Sequence, residues 1–132
     1  MTNQENKARI GDLIKISKAD GKITEIEFDF ILRLAERYHV SKDEVEQFLK
    51  DEPATKKIIS EADRITHFYN LILVMNVDLE THPQEIIAIR NFGLKMGIRQ
   101  EALDKILAIM ENYEDKVVPS KEIVSIFRTY YN

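Results

Sequence analysis

A chain of 132 residues fits one domain able to bury its own core, and 44% hydrophobic with 32% charged residues, free of low-complexity tracts, excludes wholesale disorder. The absence of Cys excludes disulfide frameworks, thiolate metal sites and Cys nucleophiles, and with no oxidised staple the expected compartment is the cytoplasm. A net charge of −4, with Lys56-Lys57 as the longest basic run, lacks the electrostatic stripe on which nucleic-acid affinity rests, so no nucleic-acid partner is expected.

The first residues lack the apolar core of a signal peptide, and the longest apolar stretch, Phe68 to Met75, is too short to cross a bilayer, so no membrane partner is expected either. Apolar spacings of three and four predict helices throughout. The first runs from about residue 4 to Ser17, with Ile10, Leu13 and Ile14 on one face, and stops at Asp20-Gly21. Thr24 with Glu27, and Ser41 with Glu44, are capping-box signatures that start the second and third helices. Pro53 ends the third, and residues 54–59 are expected to form a short helical turn. Ser60 caps a helix over Glu61 to Asn76 whose second half is apolar nearly all round, which places it at the centre. Pro83 opens the next helix, Gly97 ends it in a left-handed turn, and helices over about residues 100–113 and 121–131 follow. The expected fold class is all-α: a compact bundle of about seven helices in one domain over residues 1–132.

An offset of 58 aligns the chain with itself. Leu13-Ile14 meets Leu71-Ile72, Asp20 meets Asp78, Glu27 meets Glu85 and Ile31 meets Ile89 as identities, and Ile10, Val40 and Val45 meet Phe68, Ile98 and Leu103. Two pseudo-symmetric helical repeats, about residues 8–50 and 66–108, are therefore expected around one core, because two units are too few for an open solenoid. In the same alignment His39 meets Gly97, which favours His39 as a helix terminator over a ligand or general base.

The loop from Lys18 to Glu27 places Asp20, Gly21, Ile23 and Glu27 as in part of a calcium-binding EF-hand loop. Its first and third ligand positions would be Ile16 and Lys18, so a standard EF-hand is not expected. The acids have a second reading: Glu27 and Glu85 near helix starts suit capping and the helix dipole, and Asp20 and Asp78 suit turns.

The pattern Ala19-Asp20-Gly21-Lys22-Ile23-Thr24 with Glu27, followed by Leu34-Ala35 and Tyr38-His39-Val40-Ser41, resembles the first half of the TerB-like (tellurite-resistance) family. Asp78 with Glu85, then Gly93 and Met96-Gly97-Ile98, resembles its second half. The resemblance implies a compact helical domain in which acids of the two halves hold a divalent cation, and Asp20, Glu27, Asp78 and Glu85 are the metal candidates that carry over. Leu79 stands where the first half has Gly21, a departure from the pattern. No cofactor is assigned as certain; a weakly bound divalent cation, Ca²⁺ or Mg²⁺, is the candidate the resemblance implies, since carboxylates suit hard ions.

No phosphate-binding glycine loop, nucleophile elbow or His-Glu-x-x-His motif is present, and His39, His67 and His82 lack zinc-site spacing. No catalytic residue is therefore assigned. Tyr113, Phe127, Tyr130 and Tyr131 gather outside the repeats and are expected to dock the last helix. The expected function is a non-enzymatic binding or scaffold module of TerB-like type, cation-linked and stress-related, with a protein partner and with self-association left open. The alternative is a metal-dependent hydrolase using the same acids.

Overall fold

A computed structural model of the chain describes residues 3–19, 21–56, 58, 60–77, 83–113 and 118–131. Among these residues seven α-helices and no strand occur: α1 (Asn3–Ser17), α2 (Glu25–Arg37), α3 (Lys42–Lys50), α4 (Glu61–Asn76), α5 (Pro83–Lys95), α6 (Gln100–Met110) and α7 (Ser120–Tyr131). No helix is long and apolar enough to cross a membrane.

Local chemistry sets the boundaries. Thr24 and Ser41 accept hydrogen bonds from the backbone N–H of Glu27 and Glu44, whose carboxylates accept the cap residues' own N–H groups, completing both capping boxes. Ser60 likewise accepts from the N–H of Asp63. At the other end of α2, His39 adopts φ 59°, its N–H donates to Glu36 O and Val40 N–H donates to Ala35 O. This is a Schellman turn, in which a left-handed residue lets the chain satisfy the orphan carbonyls of the last turn. The end of α5 repeats it: Gly97 has φ 88°, Gly97 N–H donates to Leu94 O and Ile98 N–H donates to Gly93 O. Gly93 has a separate reason to lack a side chain, because a Cβ there would overlap Leu103.

The buried apolar residues form one cluster running through both halves of the chain, from Ile10, Leu13 and Ile14 through Phe68, Leu71 and Ile72 to Ile106 and Phe127. The centre is shared. α4 buries eight of its sixteen residues and α1 nine of its fifteen, so α1 is a second central helix beside the one that apolar character alone picks out. α1 packs on α2, α3, α4 and α5, whereas α4 adds α7 to its neighbours. Phe127 is buried, as a docked α7 requires; the side chains of Tyr130 and Tyr131 lie outside the described residues.

The expected helical turn at 54–59 is absent among the described residues of that segment. Two of its carbonyls accept from distant side chains instead, Pro53 O from Lys15 and Lys56 O from Arg9, and Ile58 O accepts from Arg64 in the first turn of α4. The segment is a strap laid across α1. Pro53 lies so close to the helix that a Cβ on Gly11 would overlap the proline ring, which is why a glycine is accepted in mid-helix there.

Candidate functional site

The four acidic candidates divide into two kinds. Asp20 and Asp78 lie outside the described residues. Glu27 and Glu85 occupy the third position of α2 and α5, and they are 3% and 1% exposed. Glu27 Oε1 accepts the N–H of Thr24 at 3.0 Å, the capping role that competes with a ligand role. The residues at the missing EF-hand positions are turned to other tasks, Ile16 being fully buried and Lys18 Nζ donating to Leu49 O at 2.7 Å. Among the described residues no group of three His, Asp or Glu side chains is placed to hold a metal ion.

A different polar group is assembled under the strap. Arg9, Asp12 and Lys15 recur every third residue on α1, so they share the side of the helix that the strap crosses. Asp12 is fully buried, and its Oδ2 lies 2.9 Å from Nε2 of His67 on α4. Burial holds the His67 pKa below the ordinary imidazole value; the hydrogen bond and charge of Asp12 oppose the shift and Arg9 adds to it. His67 is therefore neutral at pH 7. Because a carboxylate can only accept, the imidazole carries its proton on Nε2 and donates it to Asp12. Asp12 Oδ1 accepts from the Thr55 hydroxyl at 2.9 Å, Thr55 accepts in turn from Lys15 Nζ at 3.1 Å, and Lys15 donates to Pro53 O at 2.8 Å. The Arg9 guanidinium, 1% exposed, donates to Lys56 O at 3.0 Å; burial lowers its pKa, opposed by Asp12, Glu5 and Asp63.

The chemical capability of this group is limited by its connections. Nucleophilic catalysis needs a hydroxyl bonded to the imidazole and an orienting acid on the ring's other nitrogen. Here the Thr55 hydroxyl is bonded to the acid, and His67 Nδ1 has no hydrogen-bond partner among the described residues. What the cluster does is tie α1, α4 and the strap into one body.

Sequence motifs pass over this cluster, yet a signal for it exists. The 58-residue offset that aligns the acidic loops also aligns Arg9 with His67 and Asp12 with Asn70, polar residues at matching positions just before the Leu-Ile pair of each helix. Asn70 is also buried and donates to the Tyr38 hydroxyl at 3.2 Å. Tyr38 is half-buried, and desolvation raises the pKa of its phenol, so it is neutral at pH 7.

Outside the core, an open cleft of about 460 Å³ lies where the α2 N-terminus meets α3. Ile23, Phe28 and Leu49 supply apolar walls, and Glu25 and Asp29 supply carboxylates. A second depression of about 360 Å³, between α4 and α7, has mixed charge from Glu61 and Arg128. In comparisons with known proteins, no family model, curated protein or solved structure matches the chain.

Proposed function

We propose that the chain is a non-enzymatic binding or scaffold module of TerB-like type, acting on a protein partner. The reading is carried by the contrast between its sealed and open sites. Asp12 and His67, the residues with the chemistry for proton transfer, are bonded to each other in the interior, and the partly buried Thr55 hydroxyl is spent on Asp12. The accessible cleft offers apolar side chains and carboxylates, and its one hydroxyl, that of Thr24, is taken up as the cap of α2.

The internal repeat belongs to the same proposal. α2 and α5 begin at residues 25 and 83 and end at residues 37 and 95, the same offset at both ends, and their Schellman turns fall at His39 and Gly97. Ile31 and Ile89 are both fully buried. These coincidences support two copies of one helix–loop–helix–turn–helix unit closed around a common core.

The repeated Asp20–Glu27 and Asp78–Glu85 spacing adds a divalent-cation link to this reading, and a role in stress responses follows from the family resemblance alone. Thermal unfolding in EDTA, Ca²⁺ and Mg²⁺ tests the cation: a rise of several degrees in Tm that Asp20→Asn and Asp78→Asn abolish supports it. Identical melts in all conditions contradict it.

The module reading itself is tested by a photo-cross-linking residue placed in cells at Ile26 or at Ile87, both exposed and far apart in the chain. A discrete adduct from one position is expected. Metal-stimulated hydrolysis of a chromogenic ester or phosphoester that is lost in folded Asp20→Asn or Asp78→Asn contradicts the non-enzymatic reading.

A further inference from the structure

We infer that the cleft between α2 and α3 receives a short basic segment of a partner protein, an apolar side chain seated in the cleft with Lys or Arg beside it. The inference rests on the binding-module reading and gives it a surface and a partner chemistry. The cleft is of a size that takes a large side chain, and its walls, Ile23, Phe28 and Leu49, are only partly buried by the chain itself.

Charge selects the occupant. Glu25 and Asp29 line the cleft, and Asp43 and Glu46 line the adjoining surface that shares Leu49 with it. All four are exposed. Glu25 and Asp29 are four residues apart on one helix, a like-charge spacing that disfavours the free helix and that a bound cation relieves. Among the described residues no ion pair involves any of the four. Of the nearby cations, Lys18 is engaged with Leu49 O, Lys22 precedes Ile23, Arg33 follows Asp29 by one helical turn, and Lys50 lines the outer surface; Glu25, Asp29, Asp43 and Glu46 are the acids that line the hollow and its adjoining surface. An apolar hollow edged by carboxylates attracts a basic amphipathic segment and rejects an acidic one, because like charges across an interface are costly.

The test is titration of the isotope-labelled full chain, followed by two-dimensional amide NMR, with two short synthetic amphipathic peptides. They share Leu and Phe anchors and differ only in carrying Lys or Glu beside them. The Lys peptide is expected to shift amides of Ile23–Asp29 and Asp43–Lys50, to bind roughly tenfold more tightly than the Glu peptide, and to weaken with added salt. Glu25→Gln with Asp29→Asn, both at exposed positions, should weaken the Lys peptide several-fold while leaving the spectrum of the free protein folded. Leu49→Asp should abolish the shifts. Equal binding of the two peptides, or an unchanged affinity in the doubly neutralised variant, overturns the inference. Shifts confined to α7 overturn it too, yet leave the binding-module reading standing on its own cross-linking test.

Discussion

Asp12 is the residue on which the interior polar contacts converge, since it accepts from His67 and Thr55 and lies near the buried charge of Arg9. Asp12→Ala removes the acceptor shared by the His67 imidazole and the Thr55 hydroxyl and takes one of the anions near Arg9 away. A cost of about 1–3 kcal/mol, as for leaving a buried donor without its acceptor, is expected in denaturant titration. His67 makes stability depend on pH in a definite direction. Its folded pKa is depressed below the unfolded value near 6.5, so the unfolded chain binds the proton more readily. Its contribution is complete above pH 6.5 and is lost as pH falls below that value, with a slope of at most about 1.4 kcal/mol per pH unit. Urea titrations between pH 7 and pH 5 should show this slope in the wild type and lose it in His67→Gln; equal slopes would remove His67 as the cause. Gly11 tests the strap: Gly11→Ala must displace Pro53, and about 1–3 kcal/mol of destabilisation is expected where an exposed helical glycine would gain stability.

The helices are held by local devices that can be probed one at a time. Gly97→Ala forces a Cβ into the left-handed turn after α5 and should cost about 1–2 kcal/mol, whereas His39→Gly at the matching turn after α2 should stabilise by about 0.5–1 kcal/mol. In α4, Leu71→Ala or Ile72→Ala should cost about 2–5 kcal/mol, because both side chains are fully buried. These elements are legible in the sequence because their determinants are near neighbours: Thr24 and Glu27 lie three residues apart, as do Ser41 and Glu44, and the apolar stripe marks α4 without reference to anything else. The strap is not legible. Its carbonyls bond Lys15 and Arg9 across sequence separations of 38 and 47 residues, so a local pattern that favours a helical turn is overruled by partners no window contains. The pairing of Asp12 with His67 spans 55 residues and is hidden for the same reason. The acids of the two loops are prominent as a repeated spacing, yet Glu27 also satisfies a capping signature and Glu85 lies in a helix's first turn, where the dipole favours a carboxylate, and sequence alone does not separate the roles.

At the scale of the whole molecule, one apolar cluster reaches from α1 to α7, and the Asp12–His67 bond joins the first half of the chain to the second inside it. A body built this way has no half that can retain its structure after the other is lost, because α1 and α4 each complete the other's packing. Neither Asp12 nor His67 lines the acidic cleft beside α3, so the proposed recognition surface and the bond that holds the centre use different residues. The most direct test of the shared core is native-state hydrogen exchange on the full chain. The amides of Leu13, Ile14, Leu71 and Ile72 should exchange only through global unfolding, with one common free energy equal to that from urea titration and one common dependence on denaturant. Exchange from Leu71 and Ile72 through a smaller opening that leaves Leu13 and Ile14 protected, or the reverse, would contradict a single core.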